Sequence, residues 1–479
     1  MNTIRTIAGQ FLKISLRNRI LPVLYVIWLL LILYSACTGY RTYTDQNHLR
    51  QSFQWQARQS WVDNPDKHPH RMAHFGTFAF RLKHPLSMFE YGMESYTGNA
   101  VFLEAHKQNT VNFSEAGFST GLLRFGEISL SMLVQLLLPL IVFFLGFAAV
   151  SQLKEDGTLK ILVTQSGSFR YILWGTTLGL FVLSLLFLIP VLLAAGLQLR
   201  LAAHEPADSL ITRMGIIVAI SGAYLWIVST VAVSTSALSD NSRASLLKLL
   251  GVWLFMAIVL PKTLQAIGSY LYPSPGKIEF ETAVETDILA IGDSHNPDDP
   301  YFKSLKDSVL KAHGAETIQE LPFNYSGFQM REGERMSTAV YANHLQGLFD
   351  QYERQNSISY RAVFIDPLLA VKHLNMALSG TDFKEYRHFQ NKAEAYRYQL
   401  AQAMNELQIE NISNISPAPG EKPHSIEKHH WEDFDDFSYT YQSLEQVMHH
   451  QIIAFAALLF WLAASVLFLA YTSRKAKAI

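Results

Sequence analysis

Charge vanishes from five long stretches of this chain. Residues 20–40, 128–153, 171–199, 214–239 and 446–473 contain no Asp, Glu, Lys or Arg. Each meets the ~18–20 apolar residues that a helix needs to cross a hydrocarbon core of ~30 Å. A sixth stretch, 244–271, carries Lys248 and Lys262 around a short uncharged centre. It becomes a span if the two lysines reach toward opposite interfaces, and is otherwise a re-entrant or buried helix.

Orientation decides between five spans and six. Lys and Arg gather in short cytoplasmic loops and at inner span ends. Arg5, Lys13, Arg17 and Arg19 put the N-terminus inside. With six spans the other inside segments hold Lys154, Lys160 and Arg170, then Arg243 and Lys248, then Arg474, Lys475 and Lys477. Five spans would strand the basic tail on the far side. The pattern therefore predicts an all-α polytopic membrane protein with spans at 20–40, 128–151, 171–199, 214–239, 246–268 and 451–473. Ahead of them, Ile4, Ile7, Ala8, Phe11 and Ile14 fall at helical spacing, so residues 1–19 read as an amphipathic helix on the inner interface.

This topology puts two polar segments outside the cytoplasm, 41–127 and 269–450. Both are too aromatic for disorder. Residues 75–80, Phe-Gly-Thr-Phe-Ala-Phe, suggest a short strand, and 299–318, 333–356 and 382–410 show helical spacing. Residues 292–300 and 416–420 read as loops from their Gly, Pro, Asn and Asp content. The expectation is one mostly helical extracytoplasmic domain built from both segments.

Composition narrows the chemistry. A net charge of -1 gives no reason to expect nucleic acid as a partner. The one cysteine, Cys37, excludes an intrachain disulfide. It follows an apolar run, but Tyr34-Ser35-Ala36 lacks the leucine of a lipoprotein signal and the run is longer than a signal peptide's, so a retained first span is expected. No His-Glu-x-x-His, Gly-x-Ser-x-Gly or phosphate-loop motif is present, so no catalytic residues are assigned and ATP hydrolysis would need another subunit. Asp293-Ser294-His295 holds the letters of a hydrolytic triad, but three adjacent loop residues do not supply its geometry. Histidines at 68, 70 and 74, and at 424, 429 and 430, could ligate zinc or copper. Their spacing matches no established site, and Lys67, Arg71 and Lys428 would oppose a cation. His68, His70 and His74 are kept as metal candidates beside the plainer reading of hydrogen-bonded loop histidines.

The segment between spans two and three, 152–170, carries the functional clue. Lys154-Glu155-Asp156-Gly157-Thr158-Leu159-Lys160-Ile161-Leu162 combines an acidic pair, a glycine break and an apolar run, which suggests a short helix along the membrane surface. Glu155, Gly157, Thr158, Leu159 and Leu162 resemble the loop after the second span in permeases of the ABC-2 type. The layout of interfacial helix, six spans and both ends inside is similar too. Residues 292–300 and 395–400 resemble a bacterial subgroup with large insertions after spans one and five, related to permeases of gliding motility and copper-enzyme maturation. The resemblance implies the permease subunit of an ATP-driven transporter in a bacterial inner membrane. A separate cytoplasmic ATPase dimer, holding the ATP and Mg2+, would dock on Glu155, Asp156, Gly157, Thr158, Leu159 and Leu162. A second permease subunit would complete the assembly, and no cofactor is implied in this chain. Gly167-Ser168 and Thr176 depart from the family, which often has a proline and a lysine near these places. A different reading stays open: a membrane-anchored periplasmic metal-binding or interaction protein without transport.

Overall fold

The computed structural model describes residues 2–110, 127–202, 208–420 and 422–475. Met1, part of the first polar segment (111–126) and the tail lysine at 477 lie outside the described residues. An amphipathic helix α1 (Asn2–Arg17) precedes α2 (Ile20–Val62), which contains the first span. A small lobe follows, with α3 (Pro69–Phe75) and an antiparallel pair, β1 (Thr77–Phe80) and β2 (Ala100–Leu103). The second span α4 (Leu130–Glu155), a short helix α5 (Thr158–Ser166), and spans α6 (Phe169–Ala202), α7 (Asp208–Leu238) and α8 (Ser242–Leu271) come next. The second polar segment contributes α9 (Lys277–Ile291), α10 (Pro300–His313), α11 (Tyr325–Arg361), α12 (Pro367–Leu378) and α13 (Phe383–Asn411). The sixth span is α14 (Ile452–Lys475). Six helices are thus long and apolar enough to cross a membrane. The protein is an all-α polytopic membrane protein.

Inside the bundle, packing follows from small residues and from a proline. Gly175 and Gly179 of α6 let α1 lie flat on it: a Cβ at Gly175 would sit 2.6 Å from Ile7 Cβ, and one at Gly179 would sit 3.0 Å from the Ala8 carbonyl. This is the small-residue spacing that brings helix backbones together in lipid. Pro190 deprives the Leu186 carbonyl of its helical donor. The first span compensates, with Tyr25 Oη donating to Leu186 O at 3.4 Å and Trp28 Nε1 to Phe187 O at 2.8 Å. Gln135 and Gln198 also bond within the molecule, Gln135 Nε2 to Glu90 Oε2 at 2.9 Å and Gln198 Nε2 to the Ala36 carbonyl at 2.8 Å. The Thr230 hydroxyl is buried without a partner among the described residues.

Among the elements that tie the polar domain to the bundle, two are helices that reach from one into the other. The first is α2, whose 43 residues make a rod of about 65 Å at 1.5 Å per residue. It does not stop at residue 40, because nothing in 41–62 breaks a helix: there is no proline, and Thr38 and Thr44 bond back to carbonyls of their own helix. Its far end is gripped by the second polar segment through Gln54 Nε2 to Phe437 O, Arg58 Nη1 to Phe434 O and Trp61 Nε1 to Trp431 O. The second element is α12. It runs Pro-Leu-Leu-Ala-Val-Lys-His-Leu-Asn-Met-Ala-Leu, starts at the capping carboxylate of Asp366, and packs Leu368, Val371, Leu374 and Leu378 into the same core as the spans.

The two polar segments share a core of Trp61, Met72, Leu400, Met404 and Trp431. The two segments are thus packed against each other through this core. The strand foreseen at 75–80 occupies 77–80. The helices foreseen at 299–318, 333–356 and 382–410 are α10, α11 and α13 with shifted ends, while α9 and α12 were not anticipated.

Candidate functional site

Two places gather unusual chemistry, at opposite ends of the bundle as the alternation of six spans requires. The first is the segment 152–166. Asp156 closes the end of α4, and Gly157 then takes a left-handed φ of 70° that reverses the chain. The next helix, α5, is bounded at its other end by Gly167 at φ 77°. Two residues at the end of α4 fasten this turn to the junction of α7 and α8. Glu155 Oε1 accepts from the Ser242 backbone N–H at 2.9 Å and Oε2 accepts from its hydroxyl at 2.8 Å. Lys154 Nζ donates to the carbonyls of Ala237 and Ser239. The Thr158 hydroxyl closes back on Leu153 O at 3.4 Å.

On α5 the apolar residues divide. Leu159 is buried in the bundle core, 1% exposed, whereas Ile161 is 59% and Leu162 37% exposed. Leu162, Gln165 and Ser166 also line an apolar cavity of about 1010 Å³ under α1, beside Ile7 and Phe11. All six residues singled out from the sequence, 155–159 and 162, therefore sit on one turn-and-helix unit. Leu159 anchors it, Glu155 latches it, Gly157 shapes it, and Leu162 faces outward.

The second place lies in the polar domain. His70 and His74 are one turn apart on α3, with Nε2 atoms 3.2 Å apart. The His106 ring stands 5.4 Å from that of His70 and 5.2 Å from that of His74, and the His295 ring 4.9 Å from that of His106. One ring nitrogen each of His70, His106 and His295 lies within 4.8 Å of the others. His106 is the one non-glycine residue with positive φ (62°) among those described. Its backbone N–H donates to Glu334 Oε2 at 2.9 Å, and its Nδ1 lies 3.2 Å from the same oxygen. Glu334 in turn pairs with Arg397 at 2.6 Å, both side chains being essentially inaccessible. Burial alone would raise the Glu334 carboxyl, but the His106 hydrogen bond and the Arg397 charge hold it at about 2. Burial and the neighbouring imidazoles lower His70 to about 4, and the same causes lower His74 and His295.

His68 is not in this group. Its Nδ1 accepts from the His70 N–H at 3.2 Å and caps α3, so the ring turns back on its own helix. Of the trio 68, 70 and 74, the structure brings His70 and His74 together and sets His106 and His295 beside them, while His68 stays apart. The opposing cations also fall away: Lys67 donates to Asn64 Oδ1 and lies over the Phe75 ring, and Arg71 is exposed. Of the other candidates, His424 bonds the Ile415 carbonyl, and His429 and His430 stack on each other. The i, i+4 pair at 70 and 74 was readable as two residues on one helical face. His106 and His295 had no such signal, because they arrive from separate loops.

Residues 277–440 match a family described as a domain of unknown function (DUF3526). That stretch includes His295, Glu334, Arg397 and α12, but neither α3 nor the 152–166 unit. No curated protein matches the chain.

Proposed function

We propose that this chain is the membrane-spanning subunit of an ABC-2 type transporter, driven by a separate ATPase. The carrying observation is the 152–166 unit: a short helix anchored by Leu159, latched by Glu155 to the start of the fifth span, and offering Ile161 and Leu162 outward. Ile161 and Leu162, 59% and 37% exposed on a helix whose neighbour Leu159 is buried, form the apolar surface that in this reading seats on the ATPase. In this reading the unit is cytoplasmic, both termini are inside, and the polar domain lies outside a bacterial inner membrane. A push on α5 passes through Leu159 to the core and through Glu155 to α8. The long helix α2 and the buried helix α12 carry rigid-body movement of the bundle into the polar domain, for export or for mechanical work there.

A second permease subunit completes the assembly. The fifth span supports this, since its most apolar window is only 11% buried within the chain against 61% for the fourth. The test is purification of the chain from its native membrane in mild detergent. A nucleotide-hydrolysing subunit is expected to accompany it and to be lost when residues 154–162 are deleted. Full retention of the ATPase by the deletion variant would overturn the proposal.

A further inference from the structure

The histidine cluster has three properties that loop histidines do not share. First, it converges from separate parts of the chain: α3 and the turn after β2 in one polar segment, and the α9–α10 loop in the other. Second, two of its ring nitrogens lack partners. His106 Nε2 and His70 Nδ1 are buried and unbonded among the described residues. A buried imidazole nitrogen without a partner is costly. Third, its ligands are backed by carboxylates. Glu334 Oε2 faces His106 Nδ1 at 3.2 Å, and Asp293 Oδ1 lies 3.7 Å from His295 Nδ1. That leaves Nε2 of both rings free to turn inward. A carboxylate behind the far nitrogen of an imidazole is the usual outer partner of a metal-bound histidine, fixing its tautomer and raising its basicity.

From this geometry we infer that His70, His106 and His295 form a binding site for a divalent transition metal, with His74 available as a fourth ligand and Glu334 as the positioning residue behind His106. The donor set selects the ion. It is all imidazole, with no thiolate or thioether, which suits Zn2+ or another imidazole-preferring divalent ion and not a soft monovalent one. Four-coordinate zinc with bonds of ~2.0–2.1 Å places ligand nitrogens ~3.3–3.4 Å apart. His70 and His74 already meet that spacing at 3.2 Å, and the exposed His295 ring can swing the remaining distance inward. The strained backbone of His106 fits as well, because an unfavourable φ held in place by a buried carboxylate marks a residue kept for its position. The exposed His74 and His295 leave the site open to solvent, so the metal can exchange. Once bound, it would pin the first polar segment to the second. This inference uses the polar domain alone and stands apart from the transport reading.

The experiment is a Zn2+ titration by calorimetry on the detergent-purified full chain after chelator treatment, with Co2+ absorption as a second readout of the ligand field. The expected result is one ion per chain. H295A is expected to abolish or strongly weaken binding without disturbing the fold, since that ring is exposed, and H429A, an exposed histidine outside the cluster, to leave binding unchanged. E334Q is expected to weaken affinity about 10–100-fold while keeping one ion per chain. Circular dichroism on each variant separates lost ligation from lost structure. No ion bound by the parent chain, or binding equally tight in H295A and H106A, would overturn the site.

Discussion

Glu155 at the end of the second span accepts two hydrogen bonds from Ser242 at the start of the fifth, one from the backbone N–H and one from the hydroxyl. The same carboxylate therefore ties the start of α8 to the turn that launches α5. In the transport reading, whatever seats on α5 moves the fifth span with it. Glu155→Ala removes both bonds, whereas Ser242→Ala removes only the hydroxyl's. We expect a several-fold drop in ATPase stimulation for Glu155→Ala, a smaller one for Ser242→Ala, and little change in expression. Equal and complete loss with both variants would point to misfolding instead of uncoupling.

The division of apolar residues along α5 gives a second prediction. Leu159→Ala empties a site in the bundle core and should destabilise the protein by ~2–5 kcal/mol, measured by thermal or denaturant unfolding in detergent. Ile161→Asp should leave stability within ~0.5 kcal/mol and yet abolish ATPase association. An Ile161→Asp protein that still binds its ATPase would remove this face from the docking surface.

Arg397 and Glu334 meet at 2.6 Å with neither side chain reaching solvent. Arg397 also pairs with Glu394 at 2.8 Å and donates to Thr338 Oγ1 at 2.9 Å. Arg397→Ala leaves a buried carboxylate uncompensated, and ~3–5 kcal/mol of destabilisation is expected. Arg397→Lys should recover only part of it, because a single ammonium cannot replace a forked donor that bonds Glu334, Glu394, Thr338 and the Glu104 carbonyl. Unfolding curves of the three proteins decide the point.

Acid should act on Glu94. Burial opposes its ionisation, but Lys83, Arg81 and Arg50 outweigh that and hold the carboxyl below its ordinary value of 4.5. Arg50 and Lys83 lie 3.5 Å and 3.9 Å from it. A carboxyl lowered by folding stabilises the folded state above the unfolded pKa, and that contribution fades as pH falls below about 4.5 toward the folded value. The melting temperature should drop on acidification through this range. Glu94→Gln should be less stable at pH 7 and should lose part of the pH slope. An unchanged slope in that variant would assign the acid sensitivity to other groups.

The spans were legible because length and charge are local properties. Even the fifth followed from the basic residues flanking it, although Lys248 and Lys262 interrupt its apolar run. The rod α2 was cut short at residue 40 because hydropathy ends there, while helicity continues to Val62. Helix α12 was missed for a related reason: Lys372 and His373 break an otherwise apolar run too short for a span, so nothing marks it as buried in the bundle. The 152–166 unit was visible as a glycine turn beside an apolar run, but Ser242 as the partner of Glu155 was not. At the histidine cluster only the spacing of His70 and His74 was informative. His106 and His295 enter through loops whose meeting depends on Glu334 and Arg397, and such long-range pairings leave no periodic trace.

The central claim is that the surface of α5 is where an ATPase acts on this membrane protein. The most direct measurement is ATP hydrolysis by the purified assembly in lipid nanodiscs, with a disulfide cross-link between a cysteine at Ile161 and the ATPase. A cross-link that forms in high yield and freezes hydrolysis is the predicted result. An assembly that hydrolyses ATP at full rate with α5 deleted, or a chain that carries no ATPase at all, would contradict it.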